Sequence, residues 1–125
     1  FRLDLSLLTV EKLTKRSEYL AISAVGSKYV SASFIALFRF LPQESEKIRI
    51  GYTTSRKLGN AVTRNKIRRR IKEAFRLTTK KDLPFSYSCE IVLIGRPPAK
   101  DIDFTLLLRE MEKAFSFIQR KGQKT

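Results

Sequence analysis

One stretch limits the fold of this chain more than any other, "SRKLGNAVTRNKIRRRIKEAFR", which runs from Ser55 to Arg76. It contains nine Lys or Arg residues, and Glu73 is its only acid. Apolar residues recur within it at positions i, i+4, i+7 and i+8, the spacing of one helix face: Ile67, Ile71, Ala74 and Phe75. The pattern predicts a helix from about Asn60 to Arg76 with a narrow buried stripe and a wide cationic side.

The charge on this predicted helix is not typical of a solvated surface. Exposed helices usually mix signs, because acid–base pairs at i, i+4 stabilise them, whereas like-charge pairs cost a few tenths of a kcal/mol each. Here an unbroken row of like charge at i, i+4 is formed by Arg64, Arg68, Lys72 and Arg76. Arg also outnumbers Lys, and its planar guanidinium matches a phosphate. The row therefore indicates a polyanionic partner.

The rest of the chain is close to charge-balanced. Its 125 residues suggest one domain, with 26 basic and 12 acidic residues and a net charge of +14. From Arg56 to Lys81 there are eleven basic residues and one acid, so a net charge of +10 lies in this segment. Clustered charge of this kind is typical of nucleic-acid-binding proteins. We therefore expect residues 1–125 to form a single nucleic-acid-binding domain.

Several classes of function are disfavoured by what the sequence lacks. It has no His, and Cys89 is the only cysteine, so neither an intrachain disulfide nor a Cys/His zinc site can form. This composition fits a reducing, cytoplasmic setting, with Cys89 as a core residue rather than a nucleophile. No catalytic Ser motif or Gly-rich phosphate loop is visible, and apolar runs fall far short of the ~20 residues of a membrane span. An enzyme acting independently is not expected.

Coarse patterning predicts the order α-β-β-α-β-α. We expect an α+β sandwich in which helices pack on a small central sheet. Its elements are an extended N-terminal arm (1–11), a short helix capped by Ser17 and ending at Gly26, two strands (31–41 and 48–55), the basic helix, a linking loop (77–88), a third strand (89–95) and a last helix from about Phe104 to Arg120 capped by Asp103. The first two strands are predicted to form an antiparallel hairpin. The third is apolar almost throughout, which predicts a central position.

Two asparagines lie near the start of the basic helix. Asn60, after Gly59, can either cap the helix or contact a phosphate at its N-terminus. Asn65 lies on the polar side, where an amide gains little for folding. It could hydrogen-bond to a sugar, a base edge or metal-bound water.

A second candidate site is the face of the sheet that carries small and polar residues. Arg49, Gly51 and Thr53 share that face, which suggests that it is partly open. An aromatic platform beside cations suits single-stranded RNA, and Tyr19 and Phe34 could supply it. Phe34, like most phenylalanines, can equally be a core residue.

The segment "GYTTSRKLGNAVTRNKIRRRIKEAFR" resembles the signature of the bacterial ribonuclease P protein subunit. The resemblance rests on Ser55-Arg56-Lys57, Gly59-Asn60-Ala61-Val62 and Arg64-Asn65-Lys66, with "EIVLIGRPPA" similar to a late strand of the family. It extends from about Lys12 to Gln119. Lys66 stands where the family has Arg. Ser23 and Leu37 stand where it often has aromatic residues, which weakens the stacking expected of the cleft.

The resemblance implies a ribonucleoprotein that removes the 5′ leader of precursor tRNA by Mg²⁺-dependent endonucleolytic cleavage. In that arrangement the catalytic RNA and its Mg²⁺ ions carry the chemistry, and the protein has no catalytic residue of its own. The fold implied contains a left-handed β-α-β crossover. The implied RNA-facing residues are Arg56, Lys57, Asn60, Arg64, Asn65, Lys66, Arg68, Arg69 and Lys72. The implied leader-binding cleft holds Tyr19, Phe34, Arg49 and Thr53.

Three other readings of the basic helix stay open on the residues alone. One is a ribosomal or RNA-assembly protein that binds structured RNA without a catalytic partner. Another is a DNA-binding module, although no second helix suits a helix-turn-helix. The third is a membrane-surface helix, for which the apolar stripe is narrow. The interpretation favoured here involves the catalytic RNA and precursor tRNA as partners, with neither DNA nor membrane.

Overall fold

The computed structural model describes residues 9–12, 26–40, 47–81 and 89–123. These residues form a mixed sheet with two long helices. The strands are β1 (Thr9–Lys12), β2 (Ser27–Val30), β3 (Phe34–Phe40), β4 (Lys47–Thr53) and β5 (Cys89–Gly95). The helices are α1 (Ala61–Lys81) and α2 (Phe104–Gln123), with 3₁₀ turns at Arg56–Leu58 and Pro97–Lys100. The α+β class predicted from the sequence is confirmed.

The sheet has the strand order β1-β4-β5-β3-β2. The predicted hairpin of β3 and β4 is therefore wrong, because β5 lies between them, antiparallel to β3 and parallel to β4. Six of the seven residues of β5 are buried, and the seventh, Ile94, is half-buried. A strand that is apolar on both faces is most stable with a neighbour on each side. The central position predicted for β5 is confirmed.

The connection from β4 through α1 to β5 joins two adjacent parallel strands. This is a β-α-β crossover, as the family resemblance implied. The hand of the crossover stays a prediction.

Two short strands were not expected. β2 follows Gly26 and pairs antiparallel with β3, while residues 9–12, at the end of the expected arm (1–11), form β1, parallel to β4. The last three residues of the arm are thus part of the sheet. The predicted first helix and its cap Ser17 lie outside the described residues.

The core lies between one face of the sheet and the two helices. Along β3, Phe34, Ala36 and Phe38 are buried and alternate with partly exposed residues, as the period of two predicts. The apolar stripe of α1 packs on this face, since Ile67, Ile71, Ala74 and Phe75 are all buried. From α2, Leu107, Met111, Phe115 and Ile118 complete the core, with the rings of Phe75 and Phe115 5.3 Å apart. The stripe predicted for α1 is confirmed in full.

Gly95 at the end of β5 allows α1 to approach the sheet closely. A Cβ placed there would lie 2.5 Å from Cγ2 of Ile67 and 3.3 Å from Cδ1 of Ile71. Real Cβ atoms do not tolerate the first distance, so a larger residue would push the helix away. The position of α1 over β5 therefore depends on this glycine.

α1 continues to Lys81, five residues beyond the predicted end at Arg76. The residues assigned to a loop include Thr78 and Thr79, which seldom favour helix interiors. Here the Thr78 hydroxyl donates to the Ala74 carbonyl at 2.8 Å, and the Thr79 hydroxyl donates to that of Phe75 at 3.0 Å. Bonding back onto the previous turn satisfies both hydroxyls within the helix. The helix therefore extends beyond the segment for which the sequence pattern predicted it.

Candidate nucleic-acid interface

The cationic side of α1 begins at a sharply defined helix start. Gly59 has a φ of +133°, a conformation that residues with a Cβ rarely adopt. Asn60 then caps the helix, since its Oδ1 accepts a hydrogen bond from the Thr63 N–H at 2.9 Å. Asn60 is exposed. The capping role predicted for Asn60 is confirmed, and a phosphate contact by the same residue stays a prediction.

Four cations of α1 form no ion pair with a carboxylate among the described residues: Arg64, Arg68, Arg69 and Lys72. All but Arg64 are exposed, and Arg64 is half-buried with its Nε 3.4 Å from the Asn60 carbonyl oxygen. The next acid along the helix, Glu73, is engaged by Arg76 instead. On the side of α1 that was predicted to bind a polyanion, these positive charges are therefore not neutralised by acids of the described part of the chain.

Asn65 has a defined role within this set. Its Oδ1 accepts a hydrogen bond from Nη2 of Arg68, one turn later on the same exposed side. The bond holds the guanidinium beside the amide and leaves the amide NH₂ group as a donor. The two side chains together present a fork of N–H donors suited to phosphate or base-edge oxygens.

Three other cations of α1 have partners within the chain. Nη1 of Arg70 donates to the carbonyls of Ala99 at 3.1 Å and Lys100 at 2.7 Å, and its Nη2 donates to that of Ile102. Arg70 therefore ties α1 to the turn before α2, and its role is structural. Nζ of Lys66 lies 3.5 Å from Oδ1 of Asp101 in an exposed pair, which contributes little to stability.

The third paired cation is Arg76, whose Nε donates to Oε2 of Glu73 at 3.1 Å. This hydrogen bond and the charge of the guanidinium lower the pKa of the Glu73 carboxyl. The sequence pattern placed Arg76 in the row of like charge on α1. The contacts show that only part of the row faces solvent without an internal partner.

Of the two predicted residues ahead of the helix, Lys57 is exposed in the 3₁₀ turn. Its backbone N–H donates to the Ser55 hydroxyl at 3.1 Å, which fixes the turn next to the start of α1. The Arg56 side chain lies outside the described part of the structure. Lys57 is thus placed beside the exposed cations of α1.

The opposite face of the sheet carries a row of charge that crosses three strands. Arg39, Glu90 and Arg49 are direct partners on β3, β5 and β4. The Glu90 carboxylate is 2% exposed and accepts hydrogen bonds from Nε of Arg39 and, at 2.6 Å, from Nη1 of Arg49. From the sequence, no role was assigned to Glu90 or to Arg39. An acid inside an apolar strand was the signal, because a buried carboxylate needs a cationic partner.

The predicted leader-binding cleft is only partly assembled by the structure. Thr53 shares the face of Arg49 and is half-buried next to Ile94 of β5. Phe34 is wrong as a cleft residue, because it is 0% exposed and lies on the other face, under the helices. Strand alternation places it there, with Gly95 as its partner on β5. Tyr19 lies outside the described residues.

Cys89 and Tyr52 are the described residues whose burial most affects their ionisation. Burial and the neighbouring Glu90 raise the pKa of the Cys89 thiol, and burial raises that of the Tyr52 phenol. A thiol is a nucleophile only as the thiolate. Cys89 therefore stays protonated at neutral pH, which confirms its predicted place in the core.

Within the described ranges, no group of three or more His, Cys, Asp or Glu side chains could hold a metal ion. The same ranges contain no helix that is both long and apolar enough to cross a bilayer.

An α+β domain with a bare cationic helix on one side and an arginine-lined sheet face on the other belongs to the class of nucleic-acid-binding proteins. The sequence matches the family model named Ribonuclease P over residues 7–119. This match covers most of the chain, and the chain belongs to the ribonuclease P protein family.

Individual relatives agree with this assignment. The ribonuclease P protein component of Citrifermentans bemidjiense is 32% identical over 111 residues, covering 89% of this chain and 90% of the relative. That of Gluconacetobacter diazotrophicus is 36% identical over 104 residues, covering 82% and 85%. Among solved structures, the RNase P protein of Staphylococcus aureus has a TM-score of 0.70 at 28% identity, covering 86% of this chain and 94% of that one. The RNase P protein from Thermotoga maritima has a TM-score of 0.68 at 26% identity, covering 85% and 96%.

Proposed function

We propose that this chain is the protein subunit of ribonuclease P and assists removal of the 5′ leader from precursor tRNA. Membership of the ribonuclease P protein family supports this role. The observation that carries the proposal is the uncompensated cationic side of α1, formed by Arg64, Arg68, Arg69 and Lys72. A protein–RNA complex supplies the negative charge that the described part of the chain lacks. The proposal places the complex in the cytoplasm.

The cationic side of α1 is proposed to dock on the catalytic RNA. Each cation that meets a phosphate releases condensed counterions, so affinity should fall steeply as salt rises. If about six cations take part, affinity should fall roughly 10³-fold between about 50 and 200 mM salt. The Arg68–Asn65 pair would contribute a preorganised fork, since the amide already holds the guanidinium in place.

The arginine-bearing face of the sheet is proposed to contact the 5′ leader of the precursor. Arg49 and Thr53 lie on this face, on the side of the sheet away from the helices. Glu90 orients the Arg49 guanidinium at 2.6 Å, which restricts the directions in which Arg49 can donate. Tyr19 remains a proposed member of the same cleft. Replacing Tyr19 with Ala should weaken binding of precursors with leaders of several nucleotides more than binding of mature tRNA.

Mg²⁺ is proposed to be held mainly by the RNA, which would carry the cleavage chemistry. The described residues offer no cluster of ligands for a metal ion, and no catalytic role is assigned to a protein side chain. The protein would act by positioning RNA and by neutralising phosphate repulsion where metal ions must approach. Such a role lowers the Mg²⁺ concentration needed for activity.

Reconstitution tests the proposal directly. The chain is combined with the ribonuclease P RNA of its own organism, and 5′ cleavage of a precursor tRNA is measured across Mg²⁺ concentrations. We expect the protein to lower the Mg²⁺ needed for half-maximal cleavage. A ribosomal or assembly protein would bind RNA with similar salt dependence and leave cleavage unchanged, and that result would contradict the proposal.

Asn65→Ala provides a sharper version of the same assay. Loss of the amide releases Arg68, so the Mg²⁺ requirement should rise while the thermal melting temperature changes little, because Asn65 is exposed. An unshifted Mg²⁺ requirement would leave Asn65 with no part in the proposed function.

A further inference from the structure

A groove between α2 and β2 forms a second cationic surface, separate from the cationic side of α1. It is open, has a volume of about 570 Å³ and is lined by Tyr29, Arg109, Glu112, Lys113, Ser116 and Arg120. Three of these residues are cations and one is an acid, so the lining has a net charge of +2.

The three cations of this groove have no partner among the described residues. Arg109, Lys113 and Arg120 are all exposed, and Glu112 lies beside them without forming an ion pair to any of them. Arg109 and Lys113 are spaced i, i+4, so as a like-charge pair they destabilise the helix slightly. Arg120 in the last turn is favoured by the helix dipole, but the other two are too far from the C-terminus to benefit. Neither cation is neutralised by an ion pair within the described part of the chain.

Tyr29 forms one wall of the groove and is fixed by aromatic residues that pack beneath it. The Tyr29 ring is half-buried and lies 5.1 Å from the Phe117 ring, which in turn lies 6.1 Å from the buried Phe38 ring. An aromatic side chain fixed beside a row of cations is the arrangement that proteins use to bind RNA strands, because bases stack while cations meet phosphates. Packing on the core therefore fixes the aromatic wall of the groove beside its cations.

α2 itself separates this groove from α1. Phe115 packs on Phe75 of α1, whereas Phe117 packs on Tyr29 of β2. Two residues correspond to about 200° around a helix, so these contacts lie on opposite sides of α2. Packed helices are about 8–10 Å apart, which places the groove roughly 20 Å from the outer side of α1. A large folded RNA can contact both surfaces at once.

From these observations we infer that the α2–β2 groove is a second docking surface for the RNA subunit of the ribonucleoprotein. It takes the phosphates of an RNA segment other than the one that meets α1. This inference rests on the proposed function, because the RNA subunit is the polyanion large enough to contact both surfaces. The helical layer would then be held between two segments of one RNA.

Directed cleavage from single cysteines tests this surface in the assembled complex. Cys89 is buried and is the only cysteine, so an iron chelate attaches selectively to a new exposed thiol. Ser116→Cys places the chelate in the groove, and Val62→Cys, where the native side chain is 77% exposed, places it at the start of α1. Hydroxyl radicals from each probe are mapped on the RNA subunit and on bound precursor tRNA.

We expect the Ser116→Cys probe to cut the RNA subunit at positions distinct from those cut by the Val62→Cys probe. Cuts from Val62→Cys with none from Ser116→Cys would overturn the inference and leave the proposed function standing. If the Ser116→Cys probe cuts only precursor tRNA, the assignment of the RNA subunit to the groove is wrong. Cuts from neither probe would overturn the inference and the proposed function together.

Charge reversal provides an independent measurement with a matched control. Lys113→Glu in the groove and Lys28→Glu on β2 change the net charge equally, and both residues are exposed. Each phosphate contact contributes roughly 0.7–0.9 to the slope of log affinity against log salt. Lys113→Glu should make the negative slope for the RNA subunit shallower by about this amount, compared with the slope for Lys28→Glu. Equal slopes for the two variants would overturn the inference.

Discussion

The carboxylate of Glu90 on β5 accepts a hydrogen bond at 2.6 Å from Nη1 of Arg49, its direct partner on the parallel strand β4. On the other side of β5, Arg39 donates to the same carboxylate. One nearly buried acid thus aligns the two arginines that flank it on β3 and β4, and it compensates the charge that they bring to this face of the sheet. The same contacts therefore stabilise the sheet and restrict the directions in which its two arginines can point.

Replacing Glu90 with Gln should destabilise the protein. The amide keeps the shape and one acceptor but removes the charge that both guanidinium groups face. Leaving the two guanidinium groups without their anionic partner costs about 1–3 kcal/mol of unfolding free energy. Urea denaturation measures the change, with Glu112→Gln at an exposed position as the control expected to stay within about 0.5 kcal/mol. Equal stability of the two variants would show that the row does not support the sheet.

The double variant Arg64→Glu/Arg68→Glu should weaken binding to the RNA subunit and flatten its salt dependence. Two lost phosphate contacts reduce the magnitude of the negative slope of log affinity against log salt by roughly 1.4–1.8. The matched variant Arg64→Lys/Arg68→Lys keeps the charge, so its slope should stay close to that of the wild type. If charge reversal leaves the slope unchanged, α1 does not form the interface.

Two neighbouring arginines on α1 should respond to Ala in opposite ways. Arg70→Ala removes hydrogen bonds to the carbonyls of Ala99, Lys100 and Ile102 and should cost about 1–3 kcal/mol of stability. Arg69→Ala, at an exposed position, should leave stability within about 0.5 kcal/mol and weaken RNA binding instead. Thermal melting and filter binding on both variants measure the contrast. The reverse pattern would exchange the structural and binding roles assigned here.

Stability should fall as pH rises above about 9. The pKa of Cys89 is raised from its ordinary value of 9.0 by burial and the nearby Glu90. Above that pH the unfolded chain releases the thiol proton while the native state retains it, so the free energy of unfolding decreases. The contribution of Cys89 has a slope of up to about 1.4 kcal/mol per pH unit. Tyr52 adds a similar effect above its ordinary value of 10.0.

The Cys89→Ala variant isolates the thiol in this experiment. Its own stability is lower because of the lost side-chain volume, but its loss of stability between pH 9 and 10 should be shallower than that of the wild type. Parallel pH profiles for the two proteins would show that the thiol ionises as easily in the native state as in the unfolded chain.

Much of the architecture could be read from local spacing. The stripe of Ile67, Ile71, Ala74 and Phe75 predicted which side of α1 is buried. The caps Asn60 and Asp103 also followed from residue type and position. These features depend on contacts between residues near one another in the chain, which a sequence pattern records.

Other features could not be predicted in this way. α1 continues beyond its expected end, where Thr78 is buried and its hydroxyl donates to the Ala74 carbonyl, and this burial depends on tertiary packing. Phe34 was assigned to a cleft because a sequence does not say which face of a sheet the helices will cover. The partners of Arg70 lie about thirty residues away along the chain, in a turn whose carbonyls have no sequence signature.

The sequence by itself determined the cationic helix and its narrow buried side, because helical periodicity and like charge are both local properties. Only the tertiary structure decided that β5 lies between β3 and β4. That strand order brings Glu90 between Arg39 and Arg49 and, through Gly95, allows α1 to pack closely on the sheet. Strand order depends on which distant surfaces bury each other best, and that balance of free energies is settled only when the whole chain packs.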